Sequence, residues 1–255
     1  MTDSTLVGPL VWATAIGVLG AIFGSFIAAL LVRWPDGRTM GGRSACDSCG
    51  RTLSALDLVP IVSAIALRGR CRGCGTEIAP LHWRVEVLAL VIGAVAGWVA
   101  PGGVGVAGAV FGWLLLALGG LDLITFWLPD RLTGMLAVAG LVGGVAGLAP
   151  DLSDRLIGGV AGFGALWLIA LAYRRVRGRE GMGGGDPKLL GAIGLWLGWR
   201  MLPAVLLLAC LIGLGVVLAM RITGRAVAAD TALPLGTLMA VAAYPAWVAM
   251  IVVAS

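Results

Sequence analysis

Residues 7–32 read VGPLVWATAIGVLGAIFGSFIAALLV, an uncharged run that stops at Arg33. An α-helix needs about twenty apolar residues to cross a hydrocarbon layer about 30 Å thick, and this stretch supplies them. In lipid a spanning segment has to satisfy its own backbone groups, so such a run reads as a helix. It is too long for the core of a signal peptide, no small-residue cleavage site stands out, and the residues ahead of it carry no Lys or Arg. It reads as an uncleaved anchor.

The same pattern recurs along the chain. Hydropathy places further spans at about 83–100, 103–121, 128–148, 156–173, 187–199, 202–220 and 233–253. The sixth of the eight, 187–199, is short and glycine-rich, which predicts a tilted, broken or partly inserted helix. The whole sequence is 60% hydrophobic and 12% charged, against about 25% charged in an average soluble domain. Mean hydropathy is +1.02, and the 41 glycines suit close helix contacts in lipid. The fold class is therefore all-α, a polytopic membrane bundle of about eight helices. Between spans one and two lies the one long polar insert, which divides the chain into a first helix (1–32), an insert (33–82) and a membrane-embedded remainder (83–255).

Orientation follows from the basic residues near helix ends. Of the 18 Lys and Arg, only Arg155 and Arg200 fall on the side opposite the insert. The insert is thus expected in the cytoplasm, with both termini facing outward. The net charge of +5 is a record of topology, and no aromatic-interleaved basic patch points to nucleic acid. Trp34, Trp83 and Trp127 sit where interfacial tryptophans are expected.

The insert holds Cys46-Asp47-Ser48-Cys49-Gly50 and Cys71-Arg72-Gly73-Cys74-Gly75. Two C-x2-C knuckles of this kind can surround a tetrahedral zinc ion, and the glycine after each second Cys lets the backbone turn back over the sulfurs. A reducing compartment argues against disulfides. Four Cys leave no open coordination position, so the zinc expected on Cys46, Cys49, Cys71 and Cys74 is structural; it stabilises an insert too small to hold a core easily. Cys210, in an apolar span, reads as packing.

Ionisable groups beside a span are costly and point to function. Asp122 ends the third span in Gly119-Gly120-Leu121-Asp122, and Asp186 opens the sixth in Gly183-Gly184-Gly185-Asp186-Pro187-Lys188. The topology puts both on the cytoplasmic side at similar depth. Two carboxylates held close share one proton; one can then activate water while the other polarises a scissile carbonyl. The glycines before Asp186 would let an extended peptide approach. The plainer alternative is that both are interfacial carboxylates, Asp186 serving as a helix cap before Pro187. Asp130, after Pro129, reads more simply as a helix start. Lys188 could act on Asp186 or reach for the interface. Glu86 could orient a substrate amine, assist methyl transfer, or pair with Arg84 or another interfacial Arg, and His82 reads as interfacial. Arg174, Arg175, Arg177 and Arg179 read as a positive-inside loop.

Taken in order, these motifs resemble the type IV prepilin peptidases, the bifunctional leader peptidase/N-methyltransferases of pilus and type II secretion systems. Gly24-Ser25-Phe26, Val32-Arg33-Trp34-Pro35, the paired knuckles, Asp57 to Ser63, Leu67 to Cys71, Asp122 with Leu128-Pro129-Asp130, and Gly183 to Lys188 carry the resemblance. It implies an aspartic protease of the bacterial inner membrane, with Asp122 and Asp186 as the catalytic pair. Its substrates would be prepilins and pseudopilins, cut on the cytoplasmic side between a basic leader and an apolar helix. It also implies S-adenosylmethionine-dependent methylation of the new N-terminus, a step usually associated with the insert. The rival readings are a leader peptidase without methyltransferase activity and a non-enzymatic zinc-bearing membrane protein. Two stretches depart from the family pattern: Leu81-His82-Trp83 before Glu86, and Leu233-Pro234-Leu235-Gly236-Thr237 near the end. Both are expected to leave the aspartates untouched.

Overall fold

The computed structural model describes residues 4–254, apart from Asp47, 226–227 and 229–231. Met1 to Asp3, ahead of the first span, and Asp47 of the first knuckle lie outside the described residues. Among the described residues the regular structure is helical, with two isolated β-bridges, Ala45 to Thr52 and Arg70 to Glu77. The chain forms two compact units, 1–117 and 118–255.

In the first unit, α1 (Ser4–Arg33) and α3 (Leu81–Val99) run antiparallel. Their contact is a seam of small residues: Gly97 lies against Trp12, Gly93 against Ile16, Gly20 against Ala89 and Gly24 against Glu86. A Cβ on Gly24 would stand 2.7 Å from the Glu86 Cα, so the helices are as close as backbone allows. That is how helices associate where lipid offers no hydrophobic drive. The indole of Trp113, on α4 (Gly103–Thr125), donates to the Ala89 carbonyl at 2.9 Å and stacks on Phe23. Between α1 and α3 the insert contributes a short 3-10 turn (Ala55–Leu58) and α2 (Val62–Ala66).

The second unit contains the end of α4, then α5 (Asp130–Val145), α6 (Leu152–Arg177), α7 (Gly185–Leu197), α8 (Leu202–Ile222) and α9 (Leu235–Ala254). Each of the eight expected spans is a helix. Six helices, at Gly8–Arg33, Leu81–Val99, Gly103–Thr125, Leu152–Arg177, Trp199–Ile222 and Leu235–Val253, are long and apolar enough to cross a membrane. The chain is a multi-pass membrane protein. The two others are short: α5 has 16 residues and α7 has 13. α5 stops three residues before the expected limit because Gly147 adopts φ 78° and Leu148 N–H turns back to the Gly143 carbonyl, a glycine helix stop. α6 runs longer than its apolar run, carrying Arg174, Arg175 and Arg177 in its last turn, where the helix dipole favours cations.

α7 is buried along most of its length and lies against α5 and α6. Gly194 meets the Gly158 backbone, Gly162 the Leu190 backbone, and Gly140 the Leu195 backbone. The Trp196 indole donates to the Leu136 carbonyl at 2.7 Å. Arg155 locks this assembly. Its residue is 2% exposed, and its guanidinium donates to the carbonyls of Pro150, Gly140, Leu195, Leu148 and Ala149 at 2.8–3.1 Å. A guanidinium has five N–H donors, and each has an acceptor. Arg155 is thus an internal fastener as well as one of the charges on the expected outer side.

Arg155→Ala leaves several carbonyls unmet, each costing about 1–3 kcal/mol. Thermal unfolding in detergent should show the variant destabilised by at least about 3 kcal/mol.

Candidate active site and metal centre

Asp122 lies near the end of α4 and is 5% exposed. Its Oδ2 accepts from the Thr237 N–H at 2.7 Å, and the Thr237 hydroxyl stands 3.2 Å away. That hydroxyl also donates to the Gly119 carbonyl at 2.8 Å. Thr237 therefore ties the first turn of α9 to two residues of α4 at once. The expectation that the Leu233 to Thr237 stretch leaves the aspartates untouched is corrected here. Gly236 is equally close: a Cβ there would meet the Asp122 Oδ2 at 2.9 Å.

Asp186 is 8% exposed and sits in the first turn of α7, with Gly184 in the capping position. Its carboxylate is not the helix cap, and it lies close enough to Asp122 for their charges to interact. One side chain packs beside both aspartate segments. Leu128 fills the space where a Cβ on Gly185 would be, 2.8 Å from its own Cβ, and its Cδ1 lies 2.9 Å from where a Cβ on Gly236 would be. The glycine immediately before Asp186 thus admits Leu128. Leu128 reaches this place because α4 ends abruptly: Phe126 adopts φ 53°, uncommon for a large side chain and typical of strain retained at functional sites.

Lys188 does not serve Asp186. Its ammonium pairs with Asp130 at 2.6 Å, both side chains being largely exposed. This gives Asp130 a partner away from the carboxylate pair. Leu123, Ile124, Phe126 and Trp127, next to Asp122, are exposed apolar side chains.

In the first unit the two knuckles adopt one conformation. Cys46 N–H donates to Arg51 O and Gly50 N–H to Cys46 O; Cys71 N–H donates to Thr76 O and Gly75 N–H to Cys71 O. Gly50 and Gly75 close the turns with φ 69° and 73°, which glycine adopts without steric cost. The four sulfurs lie within 4.8 Å of one another, Cys46 and Cys74 being 3.9 Å apart. Ligands about 2.3 Å from a tetrahedral centre stand about 3.8 Å apart, so the cluster could hold a metal ion. Gly73 N–H points at the Cys71 sulfur at 3.4 Å. The Thr76 hydroxyl and amide hold Cys74 at about 6, below the ordinary thiol value. Cys210, on α8, is not a member of this group.

The rest of the insert is held by charge. The Ser54 hydroxyl and amide hold Asp57 down at about 2, with help from Arg72, whose Nε lies 2.8 Å from the carboxylate. Glu86 is 7% exposed and accepts from the Ile61 N–H at 2.7 Å. Arg84, its expected partner, lies over the Trp83 ring.

Residues 18–100 match the family model described as the bacterial peptidase A24 N-terminal domain, and residues 109–218 match that of the type IV leader peptidase family. A protein of Aeromonas hydrophila named prepilin leader peptidase/N-methyltransferase is 44% identical over 180 residues, covering 70% of this chain and 62% of its own length. A protein of the same name from Burkholderia pseudomallei (strain K96243) is 43% identical over 200 residues, 78% of this chain and 64% of its own. Another, from Pectobacterium carotovorum subsp. carotovorum, is 35% identical over 250 residues, 89% of this chain and 88% of its own. The matched region spans about three fifths of the length of the first of these relatives. No solved structure matches the chain.

Neighbouring glycines should respond differently to a methyl group. Gly184→Ala meets nothing within 4 Å and should be tolerated, whereas Gly185→Ala runs into Leu128. Overpacking of this kind costs about 1–3 kcal/mol, a difference that thermal unfolding of the two variants in detergent would read.

Proposed function

The chain belongs to the type IV leader peptidase family, and on that premise we propose that it is an aspartic endopeptidase of the bacterial inner membrane. It removes the basic leader from type IV prepilins and pseudopilins at the cytoplasmic face and methylates the new N-terminus with S-adenosylmethionine. The observation that carries the peptidase reading is the burial of Asp122 and Asp186 within charge-interaction distance, with Leu128 packed beside both of their segments.

The chemistry follows from that pair. The reaction needs one carboxyl of the pair protonated and the other ionised. The ionised member takes a proton from water as the oxygen attacks the scissile carbonyl carbon, and the protonated member donates to the carbonyl oxygen. The proton gained then passes to the departing amine, the peptide bond breaks, and one hydroxyl on the former carbonyl carbon returns its proton to the second carboxylate, leaving a carboxylic acid product and the pair with its single proton. Thr237 positions Asp122 through its amide and hydroxyl and is a positioning residue. The exposed Leu123, Ile124, Phe126 and Trp127 offer an apolar surface to a substrate helix that stays in lipid.

The distribution of Lys and Arg supports a cytoplasmic insert and active site. The thiolate cluster is best matched by zinc, which takes four sulfurs tetrahedrally and has no redox chemistry. Cys46, Cys49, Cys71 and Cys74 would hold it as a structural ion. The insert, together with the relatives' names, supports methylation over a peptidase that stops at cleavage. In that step the new amine's lone pair bonds to the methyl carbon. The carbon–sulfur bond breaks with its electrons left on sulfur, and the ammonium proton is released to water.

Asp122→Asn and Asp186→Asn should each reduce prepilin cleavage in detergent to below about 1% of wild type, since a general acid or base contributes about 10²–10⁴-fold. Full cleavage by both variants would overturn the mechanism. Thr237→Val keeps the amide and loses the hydroxyl, whose proton goes to the Gly119 carbonyl and holds this turn against Asp122; it should lower kcat about fivefold, the value of a neutral hydrogen bond of about 1 kcal/mol, and Thr237→Ser should restore it. Elemental analysis should find one zinc per chain, lost on Cys46→Ser.

A further inference from the structure

The register of α7 on α6 leaves a length of α6 standing beyond the level of the carboxylates. Gly158 meets the Gly194 backbone and Gly162, one turn on, meets that of Leu190, so the next step sets Leu166 opposite Asp186. α6 continues to Arg177, and Tyr173, seven residues past Leu166, stands about 10 Å beyond that level at about 1.5 Å per residue. The connection between the two helices, 178–184, therefore comes back along the side of α6 before it reaches Asp186. We propose that Tyr173 is a positioning residue for Asp186, its ring holding this returning segment at Gly181. The proposal rests on the peptidase reading above and names a residue which that reading does not use.

Two neighbouring contacts fold the segment onto α6. A Cβ on Gly181 would lie 2.6 Å from the Tyr173 Cδ1 and 3.0 Å from its Cζ, so the ring lies against the Gly181 backbone. One position along, Arg174 pairs with Glu180 at 3.9 Å. Both of those side chains are exposed, and such a pair contributes little by itself; the aromatic ring, 36% exposed, supplies the packing surface. The segment opens where α6 stops, at Gly178, whose N–H returns to the Arg174 carbonyl.

At the other end of the segment the start of α7 has weak support. Gly184 holds the capping position and has no side chain to accept from the first turn. The Asp186 N–H reaches the Gly183 carbonyl at a long 3.3 Å. Gly183, Gly184 and Gly185 follow one another, and glycine loses the most conformational freedom on ordering. A first turn built this way frays unless the chain ahead of it is held, and Asp186 is in that turn. Gly183 is the link. A Cβ there would lie 3.5 Å from the Asp186 Oδ2, so the backbone leading from Gly181 passes alongside the carboxylate. On the other flank Leu128 packs against Gly185. Tyr173 thus does for Asp186 what Thr237 does for Asp122, through a packed ring where Thr237 uses hydrogen bonds.

The test uses the full chain in detergent with a prepilin as substrate. Misplacing a reacting group by about 1 Å can cost about 10²-fold. Tyr173→Ala should accordingly lower kcat at least about tenfold with KM within about twofold of wild type, and Tyr173→Phe should restore it. Gly181→Ala, which displaces the ring, should lower kcat likewise. The double variant should lose no more than the larger single loss, because both changes remove one contact. Amide hydrogen exchange should quicken across 179–186 in both single variants, while 190–197, in the body of α7, stays as in wild type. Wild-type kcat in both variants, a rise in KM in place of the fall in kcat, or fully additive losses overturn the proposal. So does unchanged exchange across 179–186. Should one variant fail to fold, the other carries the same two readouts. If wild type itself cleaves no prepilin, the peptidase reading fails, and the exchange measurement still decides whether the ring holds the segment.

Discussion

Five carbonyl oxygens converge on one buried guanidinium, and the geometry of the second unit depends on that convergence. Gly140 belongs to α5, Leu195 to α7, and Leu148, Ala149 and Pro150 to the α5–α6 connection, while Arg155 itself is on α6. Lipid has no donors to offer in exchange. The ends of three helices are therefore fixed by a single side chain that cannot be deprotonated under ordinary conditions. α7, too short to be held by a long contact surface, is fastened at the end opposite to Asp186. The glycine contacts with Gly158 and Gly162 then define how it lies against α6.

Both units use the same device to bring helices together, a row of small residues that lets backbone meet backbone. α1 and α3 do it through Gly20, Gly24, Gly93 and Gly97, and α6 and α7 through Gly158, Gly162 and Gly194. In the first unit the seam carries Glu86 to the insert, and in the second it leads to the buried carboxylates. The high glycine content is in this sense functional: it sets the level at which charged groups stand.

Much of this was legible in the chain itself. Uninterrupted apolar runs mark the helices, and the knuckles and aspartates announce themselves because thiols in pairs and charge near lipid are both expensive without a purpose. What stayed hidden depends on contacts between distant residues. Nothing in Leu235-Gly236-Thr237 reveals that a backbone N–H there meets Asp122, because every non-proline residue has one. Lys188 looks like a partner for Asp186, two positions away, yet on the start of a helix side chains two apart point to different faces, and Asp130 is within reach instead. Arg155 counts as a topological charge in any tally of Lys and Arg, and only the packed helices show its five acceptors. The apolar run at 128–148 outlasts α5 because glycine and alanine continue it past the turn that ends the helix, whereas α7 keeps the expected 13 residues and begins two positions earlier.

Leu128 joins three stretches far apart in the chain into one steric sum. Its side chain occupies volume that Gly185 and Gly236 both leave vacant. The three positions are thus not free to drift separately over generations. A larger residue at Gly185 meets Leu128, and one at Gly236 meets Leu128 and Asp122 together, so descent should record 128, 185 and 236 as positions linked to one another and to the first aspartate.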